Sequence, residues 1–132
     1  MRPLLAIWTI ALTLVGCATD ATVRATASDL PGTYYSGDGL GYNVTVVLHA
    51  DGTFKSDWQG CLGLYGEARG TWELLGDQIR FHPAAENEAL VGYLRQATTV
   101  RHAGKLGFAR AQDVERDRID EELVFLRQAP GP

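Results

Sequence analysis

The sequence contains two cysteines and three histidines, the side chains that most often act as nucleophiles and zinc ligands: Cys17, Cys61, His49, His82 and His102. A thiol beside a histidine and a carboxylate would form a nucleophilic catalytic set, and three converging histidines would bind zinc. The residues around Cys61 match no known signature of a cysteine hydrolase, and no two histidines have a close ligand spacing such as His-x-His. We therefore predict no catalytic site, no metal site and no cofactor, and we expect that the protein is not an enzyme.

An apolar segment precedes Cys17. After the charge of Arg2, the run from Leu4 to Val15 contains no charged residue, glycine or proline. A positive start followed by such a run is the pattern of a secretory signal, and the run is shorter than the roughly 20 apolar residues that a membrane-spanning helix needs. Residues 1–16 are therefore predicted to be a signal peptide.

The residues that lead into the first cysteine, Leu14-Val15-Gly16-Cys17, resemble the lipobox of bacterial lipoproteins. The resemblance implies a diacylglycerol thioether on Cys17, cleavage of the chain before it and acylation of the new α-amine. Two or more acyl chains anchor a protein stably to a membrane. Because Ala18 rather than aspartate follows, the resemblance implies an outer-membrane lipoprotein of the cell envelope that faces the periplasm. The alternative is an ordinary signal peptide in which Cys17 is incidental.

The segment behind the cleavage site is small and polar. Residues 17–28 lack a hydrophobic pattern, so we predict a lipidated cysteine and a flexible tether there, followed by one β-domain over 29–132. The formal net charge of −4 argues against non-specific binding to nucleic acid. If Cys17 is lipidated, Cys61 has no disulfide partner within the chain. We expect Cys61 to be a buried thiol, and an intermolecular disulfide or a reactive free thiol remains an alternative.

Short runs of alternating apolar and polar residues, separated by turn signals, predict an all-β domain. In the first hairpin, a three-residue turn over 50–52 places Leu48 opposite Phe54 and Val44 opposite Trp58. A shift by one residue would mix the apolar and polar faces.

The second hairpin turns at Gly76-Asp77, which places Trp72 opposite Phe81. Pro83 is predicted to end the returning strand, because proline lacks the N–H that a central strand needs. Residues 84–95 fit a loop, a short helix or a strand.

The C-terminal third is predicted to contain one more hairpin and a closing strand. A three-residue turn over 102–104 places Val100 opposite Leu106. A short helical turn followed by a strand over 123–128 is favoured, and a helix over 113–127 is the alternative.

A first strand over 33–36 brings the total to about eight. This number and the hairpin links predict a small up-and-down antiparallel β-barrel or curled sheet, with an open β-sandwich as the alternative. The order Gly32-Thr33-Tyr34 resembles the Gly-x-Trp of lipocalin-like and avidin-like barrels, with Tyr34 in place of the tryptophan.

The inward faces of these strands are rich in aromatic residues. Tyr34, Trp58, Trp72 and Phe81 are predicted to lie inside the barrel, where they either fill it or line a ligand cavity. We therefore expect a structural or interaction module that meets an envelope protein partner. The alternative is a lipocalin-like binder of a small apolar or amphipathic ligand.

Overall fold

The computed structural model describes residues 21–115 and 118–131. The predicted signal peptide and Cys17 lie outside these residues. The strands, in chain order, are β1 (Ala21–Thr22), β2 (Gly32–Gly37), β3 (Asn43–Leu48), β4 (Thr53–Gly60), β5 (Gly63–Leu75), β6 (Gln78–Glu86), β7 (Gln96–His102), β8 (Lys105–Arg110), β9 (Val114–Glu115), β10 (Arg118–Ile119) and β11 (Val124–Arg127). Single turns of 3₁₀ helix lie at Glu88–Leu90, Ala111–Asp113 and Glu121–Leu123.

Eight strands close into an antiparallel barrel. Strands β2 to β8 pair in chain order, β8 pairs with β11, and β11 returns to β2. Closure pairs the edges of the sheet with each other, which leaves no long open edge. The predicted up-and-down barrel is therefore confirmed, and the open sandwich is wrong.

The first two hairpins have the predicted registers. Leu48 lies opposite Phe54, and Trp72 lies opposite Phe81. Gly52 adopts a φ of 85°, the left-handed conformation that a three-residue turn requires at its last position. The one-sided alternation of these strands was sufficient to define the register.

The predicted register of the β7–β8 hairpin is wrong by one residue. Val100 lies opposite Gly107 rather than Leu106. The turn has two residues, Ala103 and Gly104, with φ values of 48° and 77°, as in a type I′ turn. The sequence misled because Thr99 and Val100 are both buried, so alternation did not define one inward face.

The prediction that Pro83 ends its strand is also wrong. Strand β6 continues to Glu86, and the register shifts by one residue where Gly70 lies opposite Pro83. A β-bulge of this kind accommodates the missing N–H of proline. A Cβ atom on Gly70 would lie 2.2 Å from the carbonyl oxygen of His82, so the close approach requires glycine.

The N-terminal segment belongs to the folded domain. Ala21 pairs with Arg101 in β7, and the amide of Val23 donates to the carbonyl of Thr99 at 3.1 Å. Further along, Leu30 is fully buried in the core. Residues 21–23 of the predicted tether therefore pair with β7, through backbone groups that need no apolar pattern.

The segment after β8 combines 3₁₀ turns, the short β9–β10 hairpin and β11. The 3₁₀ turn Glu121–Leu123 leads directly into β11. The favoured prediction of a helical turn followed by a strand is confirmed, and the alternative helix over 113–127 is wrong.

The alternation of antiparallel strands places successive connections at opposite ends of the barrel. The turn end comprises the hairpin turns 49–52, 76–77 and 103–104 and the N-terminal segment 21–31. The loop end comprises the connections 38–42, 61–62, 87–95, 111–115 and 118–123.

Candidate functional site

The four aromatic residues predicted to line a cavity lie on the inward faces. Tyr34, Trp72 and Phe81 are buried in the core, and Trp58 is half-buried at the loop end. Phe108 packs against Tyr34, with ring centroids 5.0 Å apart, and against Phe81 at 6.0 Å. Phe108 therefore links Tyr34 and Phe81 within the core.

Cys61 lies on the surface of the loop end. It forms the tip of the β4–β5 hairpin together with Leu62, and its thiol is free and exposed. The Sγ atom is 3.5 Å from the carbonyl oxygen of Leu40 in the neighbouring loop. The prediction of a buried Cys61 is wrong because the flanking glycines mark a hairpin turn, where Gly63 has a φ of 114°.

The three histidines lie on separate strands or turns. His82 is within β6, and its Nε2 atom is 3.2 Å from Oε1 of Glu73 on the outer surface. His49 follows β3 and His102 ends β7 at the turn end. Within 21–115 and 118–131, no three His, Cys, Asp or Glu side chains come together as metal ligands would.

Exposed apolar side chains are concentrated at the loop end. Leu40, Leu62 and Val91 are 73%, 92% and 64% exposed, and Leu64 is also exposed beside them in β5. Among the large apolar residues of the described chain that are exposed, Leu75 alone lies at the turn end. We call Leu40, Leu62, Leu64 and Val91 the apolar tips.

Three aromatic side chains beneath the apolar tips connect the loops. Tyr42 and Tyr93 each pack against Trp58, with ring centroids 5.1 and 5.6 Å away. The two tyrosine hydroxyls are 2.5 Å apart, and the indole N–H of Trp58 donates to the carbonyl of Gly41 at 3.3 Å. These three residues, the aromatic layer, join the 38–42 loop to the 87–95 loop.

An arginine packs against one side of the aromatic layer. The guanidinium carbon of Arg110 lies 3.9 Å from the ring centroid of Tyr93, and its Nε and Nη2 atoms donate to the carboxylate of Asp113 at 2.6 and 3.0 Å. This bidentate geometry combines an ion pair with a cation–π contact. Burial raises the pKa of Tyr93 far above its usual value, and its hydrogen bond with Tyr42 adds to the shift, so Tyr93 remains neutral.

The loops that carry the apolar tips are held by carboxylates. Asp38 accepts the amide N–H groups of Leu40 and Tyr42 at 2.8 and 3.1 Å, and these bonds lower its pKa. Glu86 accepts the guanidinium of Arg95 and the amide of Gly92, and the arginine is the main reason that the pKa of Glu86 is lowered. Leu40 and Val91 therefore project from loops that these hydrogen bonds hold in place.

Carboxylates also lie along one side of this end of the barrel. A depression of about 800 Å³ beside the aromatic layer is lined by several of them: Asp113, Asp120, Glu121 and Glu122. The loop end thus combines exposed apolar side chains with an acidic border.

Trp58 is the one residue of the aromatic layer that the sequence pattern predicted. Tyr93 lies in the segment 84–95, which fits several structures, and its meeting with Tyr42 depends on closure of the barrel. One signal was present in the chain itself: Leu62 is apolar but lies at the tip of a turn, where polar residues are usual.

Comparison with protein-family models, curated proteins and solved structures finds no match to this chain. Within the described residues, no helix is long and apolar enough to cross a bilayer.

Proposed function

We propose that the protein is a lipid-anchored module of the cell envelope whose loop end binds another envelope protein. The observation that supports this most directly is the position of the apolar tips. Four large apolar side chains are exposed at this one end, and exposed apolar surface that is concentrated in one region is typical of interaction sites. Loops that are already ordered lose little conformational entropy on binding.

The anchor would hold the opposite end near the membrane. Ala21 lies at the turn end, and four residues of chain from Cys17 to Ala21 span at most about 14 Å. A lipid on Cys17 would therefore keep the turn end close to the bilayer and direct the apolar tips away from it. Such an orientation presents the loop end to partners in the surrounding compartment.

A protein partner fits the site better than a small apolar ligand. The interior is occupied by packed rings, including the stacked pair Phe108 and Phe125 at 4.9 Å. By contrast, the loop end combines exposed apolar side chains with charged groups beside them, and protein interfaces combine both. The acidic border favours a partner whose apolar patch is surrounded by lysine or arginine.

A crosslinking experiment that uses the thiol of Cys61 tests the proposed partner binding. In the lipidated mature chain it would be the only free thiol, because the sequence has two cysteines and Cys17 carries the anchor. A photoreactive crosslinker attached to Cys61 in intact envelopes is expected to give a discrete adduct with a partner protein. The matched control is C61S/L75C, which moves the thiol to an exposed position at the turn end.

Two results decide the proposal. An adduct from Cys61 that is absent from the C61S/L75C control, and that is lost on Leu62→Ser, supports a partner at the loop end. Identical adducts from both positions, or none from Cys61, would contradict it.

A further inference from the structure

The turn end carries a basic depression that the proposed function does not use. Its volume is about 560 Å³, and its charged lining consists of four cations and one carboxylate: Arg24, Arg101, Lys105, Arg127 and Asp29. The whole chain has a net charge of −4, so the cations are concentrated here against the overall balance.

Three of these cations are available to an external anion. Arg24, Arg101 and Lys105 are exposed, and none of them forms an ion pair with a carboxylate of the described residues. Arg101 donates one hydrogen bond to the carbonyl of Gly104 at 3.1 Å, which positions its guanidinium beside the β7–β8 turn.

The carboxylate in the depression is already engaged. Asp29 accepts the amide and the hydroxyl of Thr26 at 2.9 and 2.6 Å. Arg127 donates to the carbonyl of Asp29 and to the hydroxyl of Tyr34, the latter at 2.9 Å, and so places a fixed positive charge against the barrel. Thr26 and the nearby Arg127 hold the pKa of Asp29 below its usual value.

The depression lies where the chain enters the domain. Ala21 pairs with Arg101, and three residues separate Ala21 from Cys17, so that four Cα–Cα steps join them. This spacer extends at most about 14 Å. Charges at a membrane surface act over about 8 Å at physiological ionic strength, so an anchored Cys17 would bring the depression to the range of the headgroups.

We propose that this depression binds the headgroups of anionic phospholipids in the membrane that holds Cys17. The proposal rests on the lipid anchor of the proposed function and adds a second membrane contact to it. Guanidinium and ammonium groups match phosphate oxygens in charge and geometry, and anchoring supplies the headgroups at high effective concentration.

The test uses the mature lipidated protein in vesicles of phosphatidylcholine with or without phosphatidylglycerol. Hydrogen exchange of backbone amides is expected to slow over residues 99–107 and 22–30 in the anionic vesicles, and not over residues 38–42 at the loop end. The protection should disappear in about 1 M salt, because the Debye length there falls to about 3 Å.

Two double variants distinguish headgroup binding in the depression from general attraction of the protein's cations to an anionic membrane. R101Q/K105Q removes two cations of the depression, each expected to strengthen headgroup binding about fivefold. K55Q/R69Q removes two cations that lie opposite each other on the side of the barrel. The first variant should lose the protection and the second should keep it; if the double variant unfolds, K105Q alone provides the same comparison.

Equal protection in both kinds of vesicle, or equal loss in both double variants, would overturn the proposal. This outcome is distinct from failure of the proposed function. The intact mass of the reconstituted protein reports the anchor, and crosslinking from Cys61 reports the loop end.

Discussion

The two ends of the barrel differ in the exposure of their leucines. At the turn end Leu30 of the N-terminal segment is fully buried, whereas at the loop end Leu62 is 92% exposed on a hairpin tip. The closure of the turn end is needed for the fold. The apolar tips of the loop end are exposed and contribute little to the fold, and the proposed function assigns them to partner binding.

The largest predicted effect compares these two leucines directly. Leu30→Ala removes a buried side chain and is expected to lower the free energy of unfolding by about 2–5 kcal/mol. Leu62→Ala should change it by less than about 0.5 kcal/mol. Urea unfolding of both variants measures the difference, and similar losses would show that the loop end is part of the core after all.

The next effect concerns the hydroxyl pair of the aromatic layer. Tyr42→Phe removes the partner of the Tyr93 hydroxyl, which lies in a half-buried position, and is expected to cost about 0.5–1.5 kcal/mol. Urea unfolding measures the cost, and hydrogen exchange should show that the 87–95 loop opens more readily. Unchanged exchange there would mean that the aromatic layer does not hold the loops.

Tyrosine titration provides a pH test at both ends. Burial raises the pKa of Tyr34 at the turn end and of Tyr93 at the loop end. Above about pH 10 the unfolded chain loses these protons while the folded chain keeps them. Stability is therefore complete below pH 10 and falls as the pH rises, by up to about 1.4 kcal/mol per pH unit for Tyr93.

The control for this test is Tyr93→Phe, measured by urea unfolding between pH 9 and 11, a range about one unit either side of the usual tyrosine pKa. The variant should lose less stability across that range than the unmodified protein. An identical slope would show that Tyr93 ionises as readily in the folded chain as in the unfolded one.

The smallest effect is expected for the exposed thiol. Cys61→Ser should change stability by less than about 0.5 kcal/mol, because the side chain lies on a turn tip. In the folded protein the thiol should react completely with a soluble disulfide reagent. Reaction only after unfolding would contradict its placement at the loop end.

The parts of the fold that could be predicted from the sequence are the strands in which every second residue is apolar and faces the core. Val44, Val46 and Leu48 are all inward and buried, and the register of their hairpin followed from that pattern. The pattern failed where Thr99 and Val100 are buried together. It also failed at Pro83, where a bulge replaced the expected strand end.

The candidate site was harder to predict than the fold. Tyr42, Trp58 and Tyr93 are distant in the sequence, and only the closed barrel brings their rings together. The glycines around Cys61 fit both a buried crossing and a hairpin turn, and the sequence alone did not distinguish them. Residues 21–23 join the fold by backbone pairing with β7, which has no side-chain signature.

The orientation proposed for both ends depends on the lipid at Cys17, and the most direct test is the intact mass of the mature protein extracted from membranes. We expect a chain that begins at Cys17 and carries a diacylglycerol thioether and an acylated α-amine. A chain that retains Met1, or an unmodified Cys17, would contradict the account.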